Sequence, residues 1–271
     1  MKSYFNLLKI STFTVFILCV MVSNVYAQHK ADPSASERRN MVKFNILPLL
    51  GGKFAFEYER LLTNRIALGA GLSIRPEKGL PFASTVKGFV DEEELDNILD
   101  DFKSSNFSFT PEVRFYTSRR GPFRGFYVAP YAKFVSYKLA VPYQFDVDIE
   151  EQGNEVYSRS ETIPLKGNLS SVTAGLSVGF NFKLKNNFHL DWRLFGPGYG
   201  TAKGDITGTM KLDADEQSEL KDALADLKTN LEDMPLAVKI DYDVHGEGAT
   251  ITVKRSPWSS IRTGLGISYR F

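Results

Sequence analysis

Cysteine occurs once and histidine three times in 271 residues. The cysteine, Cys19, lies in an apolar stretch that is expected to be removed, so the remaining chain has no disulfide, no thiol nucleophile and no cysteine metal site. Neither a Gly-x-Ser-x-Gly elbow nor a His-Glu-x-x-His helix accompanies His29, His189 or His245, and no catalytic residue is assigned. An enzyme is therefore not expected. Net charge is also small, +1 overall, which argues against a nucleic-acid partner. No acidic run has the D-x-D-x-D-G spacing of an EF-hand loop, and neither a metal site nor a cofactor is assigned.

What is present begins with "MKSYFNLLK", where Lys2 and Lys9 stand without an acid, followed by the apolar run "ISTFTVFILCVMV". Val25 and Ala27 in "SNVYAQ" have the small-residue spacing of a signal peptidase site, so residues 1–27 read as a signal peptide. The run is shorter than the roughly 20 residues of a spanning helix. Cys19 follows Phe16, Ile17 and Leu18, not the small residues that precede a lipid-attachment cysteine. Residues 28–40, "QHKADPSASERRN", read as a flexible leader. Structure is expected from Met41.

Over 41–271 the dominant period is two, the mark of strands with two unlike faces. In "SSVTAGLSVGFNFKLK", Val172, Ala174, Leu176, Val178, Phe180, Phe182 and Leu184 share one face, with Ser171, Thr173, Gly175, Ser177, Gly179, Asn181 and Lys183 on the other. Eight such segments are expected, near 42–49, 53–62, 65–75, 106–117, 125–141, 169–185, 188–200 and 257–271. Thr63–Asn64, Arg119–Arg124 and Asn186–Asn187 make short turns, the intervening connections are long and acidic, and Gly51–Gly52 closes the first hairpin.

Strict alternation of short and long connections around an even number of strands is the pattern of a transmembrane barrel. The fold class expected is all-β: an eight-stranded antiparallel up-and-down transmembrane β-barrel with long outer loops, one holding an amphipathic helix and a hairpin. If that hairpin also spanned, the barrel would have ten strands. Aromatics fall at two heights, Phe115, Phe126, Phe182, Phe188, Tyr269 and Phe271 at the short-turn end, Phe54, Phe56, Phe107, Phe109, Phe134 and Trp258 near the long-loop end. Headgroup-level girdles would collect rings in this way.

The final "GLGISYRF", with Ile267, Tyr269 and Phe271 on one face, resembles the C-terminal signature of outer-membrane barrels, which implies recognition by the barrel assembly machinery. The whole pattern is similar to the OmpA/OmpX-type transmembrane domain. "KFNILPLLGGKFAFEYER" and "FHLDWRLFGPGYGTAKGDITG" resemble, more narrowly, a Bacteroidetes-type outer-membrane barrel family without an assigned activity. The resemblance implies the outer membrane of the cell envelope as location, lipid as surroundings and a monomer. No peptidoglycan-binding domain is expected after the barrel, which separates this chain from full-length OmpA.

The face opposite the apolar one carries Glu57, Glu59, Glu112, Arg114, Lys133, Asp191, Arg193, Arg262 and Arg270. An eight-stranded interior is filled by side chains, so these groups are expected to pair across a plugged lumen, a narrow ion channel being the alternative. Gly69, Gly71, Gly175, Gly179, Gly264 and Gly266 share that face and leave room for long arginines. Acids dominate segments 76–105, 142–168 and 203–257. An acidic exterior could hold an extracellular ligand or a divalent cation, and the function expected is structural or surface-binding. Leu220, Leu224, Leu227 and Leu231 form the stripe of an amphipathic helix, followed by a hairpin turning at Gly246 and Gly248. Two uses are open to that helix: covering a strand extension, or offering a face to a partner. A hydrolase built on His245, near Asp241 and Asp243, is the remaining alternative.

Overall fold

The computed structural model describes residues 38–79, 101–118, 122–151, 155–233 and 238–271, with 144–151 and 155–159 described by their backbone alone. The segment expected to be a signal peptide, nearly all of the expected leader and most of the acidic segment 76–105 lie outside the described residues.

Eleven antiparallel strands form one sheet: β1 (Asn40–Asn45), β2 (Phe54–Leu61), β3 (Ile66–Lys78), β4 (Lys103–Tyr116), β5 (Gly125–Glu151), β6 (Glu155–Lys183), β7 (Phe188–Phe195), β8 (Pro197–Thr209), β9 (Lys239–His245), β10 (Gly248–Ile261) and β11 (Gly264–Arg270). The sheet order runs β5-β4-β3-β2-β1-β11-β7-β6, and a further β5–β6 pairing closes these eight strands into a ring. Closure leaves no open edge within the ring. The ring is eight-stranded, not ten: β9 pairs with β10 beyond it and adds nothing to its circumference.

The expected segments correspond to the ring strands, with three corrections. β1 ends at Asn45, and a 3-10 turn over Leu47–Gly51 replaces the strand expected to 49; Gly52 closes it at φ 69°, a left-handed backbone suited to glycine. The connection 142–168 is no loop, because β5 and β6 stay in register from Gly125↔Asn181 out to Glu151↔Glu155. The expected seventh and eighth strands each run far beyond the ring, as β7 continued by β8 and β10 continued by β11. Tyr131 donates its hydroxyl to the Gly196 carbonyl at 2.9 Å, and the Arg262 amide donates to the same oxygen at 2.8 Å, fixing both breaks at one level.

Outside the ring, β5, β6, β8, β10 and β9 continue as a sheet carrying the single helix of the described residues, α1 (Ala214–Glu232). Asp213 caps it: the carboxylate accepts the Asp215 and Glu216 amides at 3.0 and 2.8 Å, and Glu216 accepts the Asp213 amide at 2.9 Å. This reciprocal capping box fixes the start of the helix. Leu220 and Leu224 bury against Ile163, Leu165, Ile240, Ile251 and Val253, with Leu227 and Leu231 at the margin. The leucine stripe thus covers a strand extension, the first of the two uses expected of it.

The two parts bury opposite chemistry, as β6 shows within one strand. Ile163 and Leu165 are buried while Thr162, Pro164 and Lys166 are exposed; further on, Ser171, Thr173, Ser177 and Asn181 are buried while Val172, Leu176 and Phe182 are exposed. All the buried positions are odd, so one continuous face changes from apolar to polar near residue 170. The extension packs like a water-soluble domain and the ring packs inside out.

Candidate functional site

The ring interior holds four carboxylates, Glu57 and Glu59 from β2, Glu112 from β4 and Asp191 from β7. Against them stand Lys43 from β1, Arg114 from β4, Arg193 from β7 and Arg262 from the β10–β11 break. Strand alternation delivers each to the same side, and closure brings residues up to 150 positions apart into contact.

Arg193 grips Glu57 with two parallel bonds, Nη1 to Oε1 at 2.8 Å and Nη2 to Oε2 at 3.0 Å. Such forked pairing is the strongest geometry a guanidinium has. Arg114, fully buried, donates to Glu112 at 2.5 Å, to Glu57 at 2.9 Å and to Asp191. Lys43 bridges Asp191, at 2.6 Å, and Glu59. Arg262 donates to Glu112 at 2.8 Å. Tyr127 and Tyr116 add hydroxyl bonds to Asp191 and Glu59 at 2.8 and 2.6 Å, and the Tyr127 ring lies 4.4 Å from the Arg114 guanidinium carbon. Desolvating eight charges is costly, and dense mutual bonding is what makes their burial tolerable. Only about 10 Å³ remains between this cluster and Gly264 and Gly266, room for one water at most.

Register explains how so much fits. Glu57 and Glu59 stand opposite Gly71 and Gly69, Glu112 opposite Gly69, and Asp191 and Arg193 opposite Gly266 and Gly264. A Cβ on Gly69 would lie 2.9 Å from Glu112 Cγ, and one on Gly179 2.5 Å from the Tyr127 hydroxyl. The glycines make room for glutamates and tyrosines more than for the arginines expected.

Below the charges the interior is closed by apolar groups. Phe123, in the turn before β5, is fully buried with Met41, Leu61, Ala67, Tyr116, Tyr127 and Ala129. Its ring meets Tyr116 edge-on at 6.0 Å, and the Arg270 guanidinium lies 5.4 Å from it. Reading 119–124 as a plain turn missed this plug; a lone Phe among arginines, glycine and proline was the available signal. Lys43 was missed too, although it alternates with Val42 and Phe44.

A family described as a protein of unknown function, DUF3575, matches residues 13–231. The chain belongs to the DUF3575 family. Among solved structures, the N-terminal β-barrel domain of Pseudomonas aeruginosa OprF is similar at a TM-score of 0.24 and 7% identity, covering 87% of this chain and 100% of that one. No curated protein matches.

The other expected residues of this DUF3575 chain are dispersed. His189 is buried, its Nδ1 2.9 Å from Asn181 Oδ1, and Asn181 in turn reaches Asp191 at 3.5 Å. His245 is exposed at the β9–β10 turn, where its Nδ1 accepts the Glu247 amide at 3.3 Å. Asp241 bonds to Lys254 and Lys228, which hold its carboxyl below the usual carboxylate range; among its described contacts none is to His245. Among the described residues, no three His, Cys, Asp or Glu side chains converge to hold a metal. Lys133 faces inward as expected but stands apart from the ionic cluster, and among the described residues it has no acidic partner.

Proposed function

We propose that this chain is an integral outer-membrane β-barrel protein, non-enzymatic, its ring set in lipid and its extension projecting outward in a structural or surface-binding role. The observation that carries the reading is the inversion of polarity at the base of the extension. Phe56, Leu68, Leu72, Phe107, Leu176, Trp192, Ile267 and Tyr269 are all exposed on the outer wall, while the interior is charged and hydrogen-bonded. In water that arrangement exposes apolar area with nothing to cover it; in hydrocarbon it is the required one, because a closed ring satisfies its own backbone.

Outward rings pair at two heights: Phe126 with Phe180 at 5.3 Å and Phe188 with Tyr269 at 5.3 Å on the short-turn side, Phe44 with Phe56 at 5.1 Å and Phe109 with Phe134 at 6.5 Å on the other. These suit two interfacial girdles. Tyr137 and Trp258, the latter expected in the girdle, instead meet at 5.5 Å on the inward face. Dense pairing of the interior charges and the Phe123 plug support a closed lumen rather than an open ion path. The narrower kinship, to a Bacteroidetes-type barrel family without an assigned activity, belongs to the same proposal. So do monomeric insertion and reading of the β11 strand by the barrel assembly machinery.

The test is refolding from urea with and without detergent micelles or liposomes. Membrane insertion predicts a compact species of shifted, heat-dependent gel mobility that stays with the liposomes after a urea wash, and silence in planar-bilayer recordings. Recovery of a folded, soluble monomer without amphiphile would overturn the reading.

A further inference from the structure

Above the paired charges the interior opens into a cavity of about 220 Å³. Its chemistry is lopsided. Lys53, from the residue before β2, and Lys133 of β5 line it together with Arg193 and Arg262, whereas Glu57 is the one carboxylate in the lining. Glu57 is already held by the forked bonds of Arg193 and by Arg114. Arg262 bonds to Glu112. Among the described residues, neither lysine's ammonium group has an ionic or hydrogen-bonding partner.

Ser73 of β3 and Ser108 and Thr110 of β4 supply hydroxyls on the wall between the two lysines, Ser73 and Ser108 sharing one short hydrogen bond at 2.5 Å. Unpaired ammonium groups gathered inside a closed wall repel one another, and nothing in the packing of the ring needs them there. A pocket with surplus donors and positive charge is complementary to an oxyanion. At about 30 Å³ per water, the volume corresponds to roughly seven waters, below the range of drug-sized ligand pockets.

We infer that the cavity between Lys53, Lys133 and Arg262 is a binding site for a phosphoryl-type oxyanion, taken either as free phosphate or as the phosphate group of a small solute. The two ammonium groups supply charge-assisted bonds and Arg262, whose Nη1 bonds to Glu112 and whose Nη2 lies 3.8 Å from Glu57, adds positive potential, with Ser73, Ser108 and Thr110 as neutral donors. The inference rests on the closed ring and its interior, not on where the outer wall resides, so it stands or falls apart from the membrane reading.

The experiment titrates protein folded in detergent micelles with inorganic phosphate and, in a second arm, with phenyl phosphate, at low salt so that screening is small, following heat release and the unfolding temperature. Saturable heat and a raised unfolding temperature are expected. Saturation by inorganic phosphate assigns the free ion; saturation by phenyl phosphate alone assigns a phosphorylated solute. Lys53→Gln with Lys133→Gln should weaken binding about tenfold or more while folding at least as well, since two unpaired charges have gone. Lys133→Arg, which keeps the charge, should retain it. Absence of saturation in both arms, or equal binding by the double glutamine variant when its gel mobility shows the folded form, would overturn the site.

Discussion

Lys43 and Asp191, 148 positions apart, meet at 2.6 Å inside the ring, and the same aspartate oxygen also accepts from Arg114. The first bond spans β1 to β7 over the intervening β11, whereas Arg114 reaches Asp191 from β4, five strands away along the sheet order, so that second bond crosses the interior and needs the ring to be closed.

Asp191→Ala should destabilise the folded ring by about 3–5 kcal/mol, because Lys43, Arg114 and Tyr127 all lose a partner and the buried cluster, although Lys43 keeps Glu59 and Arg114 keeps Glu57 and Glu112, is left with one more positive charge than negative. Urea titration in micelles, followed by tryptophan emission, measures it. A change below about 1 kcal/mol would mean that water compensates the pair.

Gly179→Val should prevent folding or force the ring apart. Its added Cβ would meet the Tyr127 hydroxyl and the Trp192 carbonyl oxygen, both at 2.5 Å. Gly71→Ala is the matched control, since its nearest neighbour would be Glu57 Cγ at 3.5 Å, an ordinary contact. Recovery of folded protein from the two variants compares them.

The polarity inversion along β6 predicts opposite responses to one substitution. Leu176→Arg, on the exposed wall of the ring, should cost about 2–4 kcal/mol of stability in liposomes. Thr162→Arg, exposed on the extension, should be near neutral. Equal responses would remove the distinction between the two halves of the strand.

Leu220→Ala and Leu224→Ala should each cost the extension about 2–5 kcal/mol without opening the ring, because these leucines pack on Ile163, Ile240 and Ile251 alone of the two cores. Limited proteolysis should then cut within 210–240 while the heat-dependent gel shift persists. Loss of both together would make ring and extension one cooperative unit.

Lys254 and Lys228 hold the Asp241 carboxyl below its usual range. A lowered folded pKa means that its contribution is present above the unfolded value and disappears as pH falls through the folded one. Acidification below the ordinary carboxylate range should loosen β9 first. Lys254→Gln should move that loosening to higher pH, read by amide exchange at Ile240, Asp241 and Tyr242.

Much of the fold was legible because its causes are local. Alternation sorts side chains onto two faces whatever the strand pairs with, so Glu57, Glu59, Glu112, Arg114, Asp191 and Arg193 could be assigned to one face at once. The α1 leucine stripe and the Gly246–Gly248 turn were visible for the same reason. The β5–β6 hairpin was not, because its acidic, weakly apolar strands look like loop until β8 and β10 bury Ile163 and Leu165. The candidate anion cavity was equally hidden, since Lys53 precedes β2 and Lys133 belongs to β5, and only their ammonium groups' shared lack of partners marks them.

By itself, then, the sequence determined which residues share a face, where the chain turns and where a helix starts, since these follow from the two-residue and 3.6-residue periods and from capping within a few positions. Tertiary structure alone decided which acid each base meets, that Phe123 seals one end, and that every large interior charge on β2 and β7 stands opposite a glycine. Those outcomes depend on register between strands remote in the chain, and register is settled only when the ring closes and all its interior volumes have to fit at once.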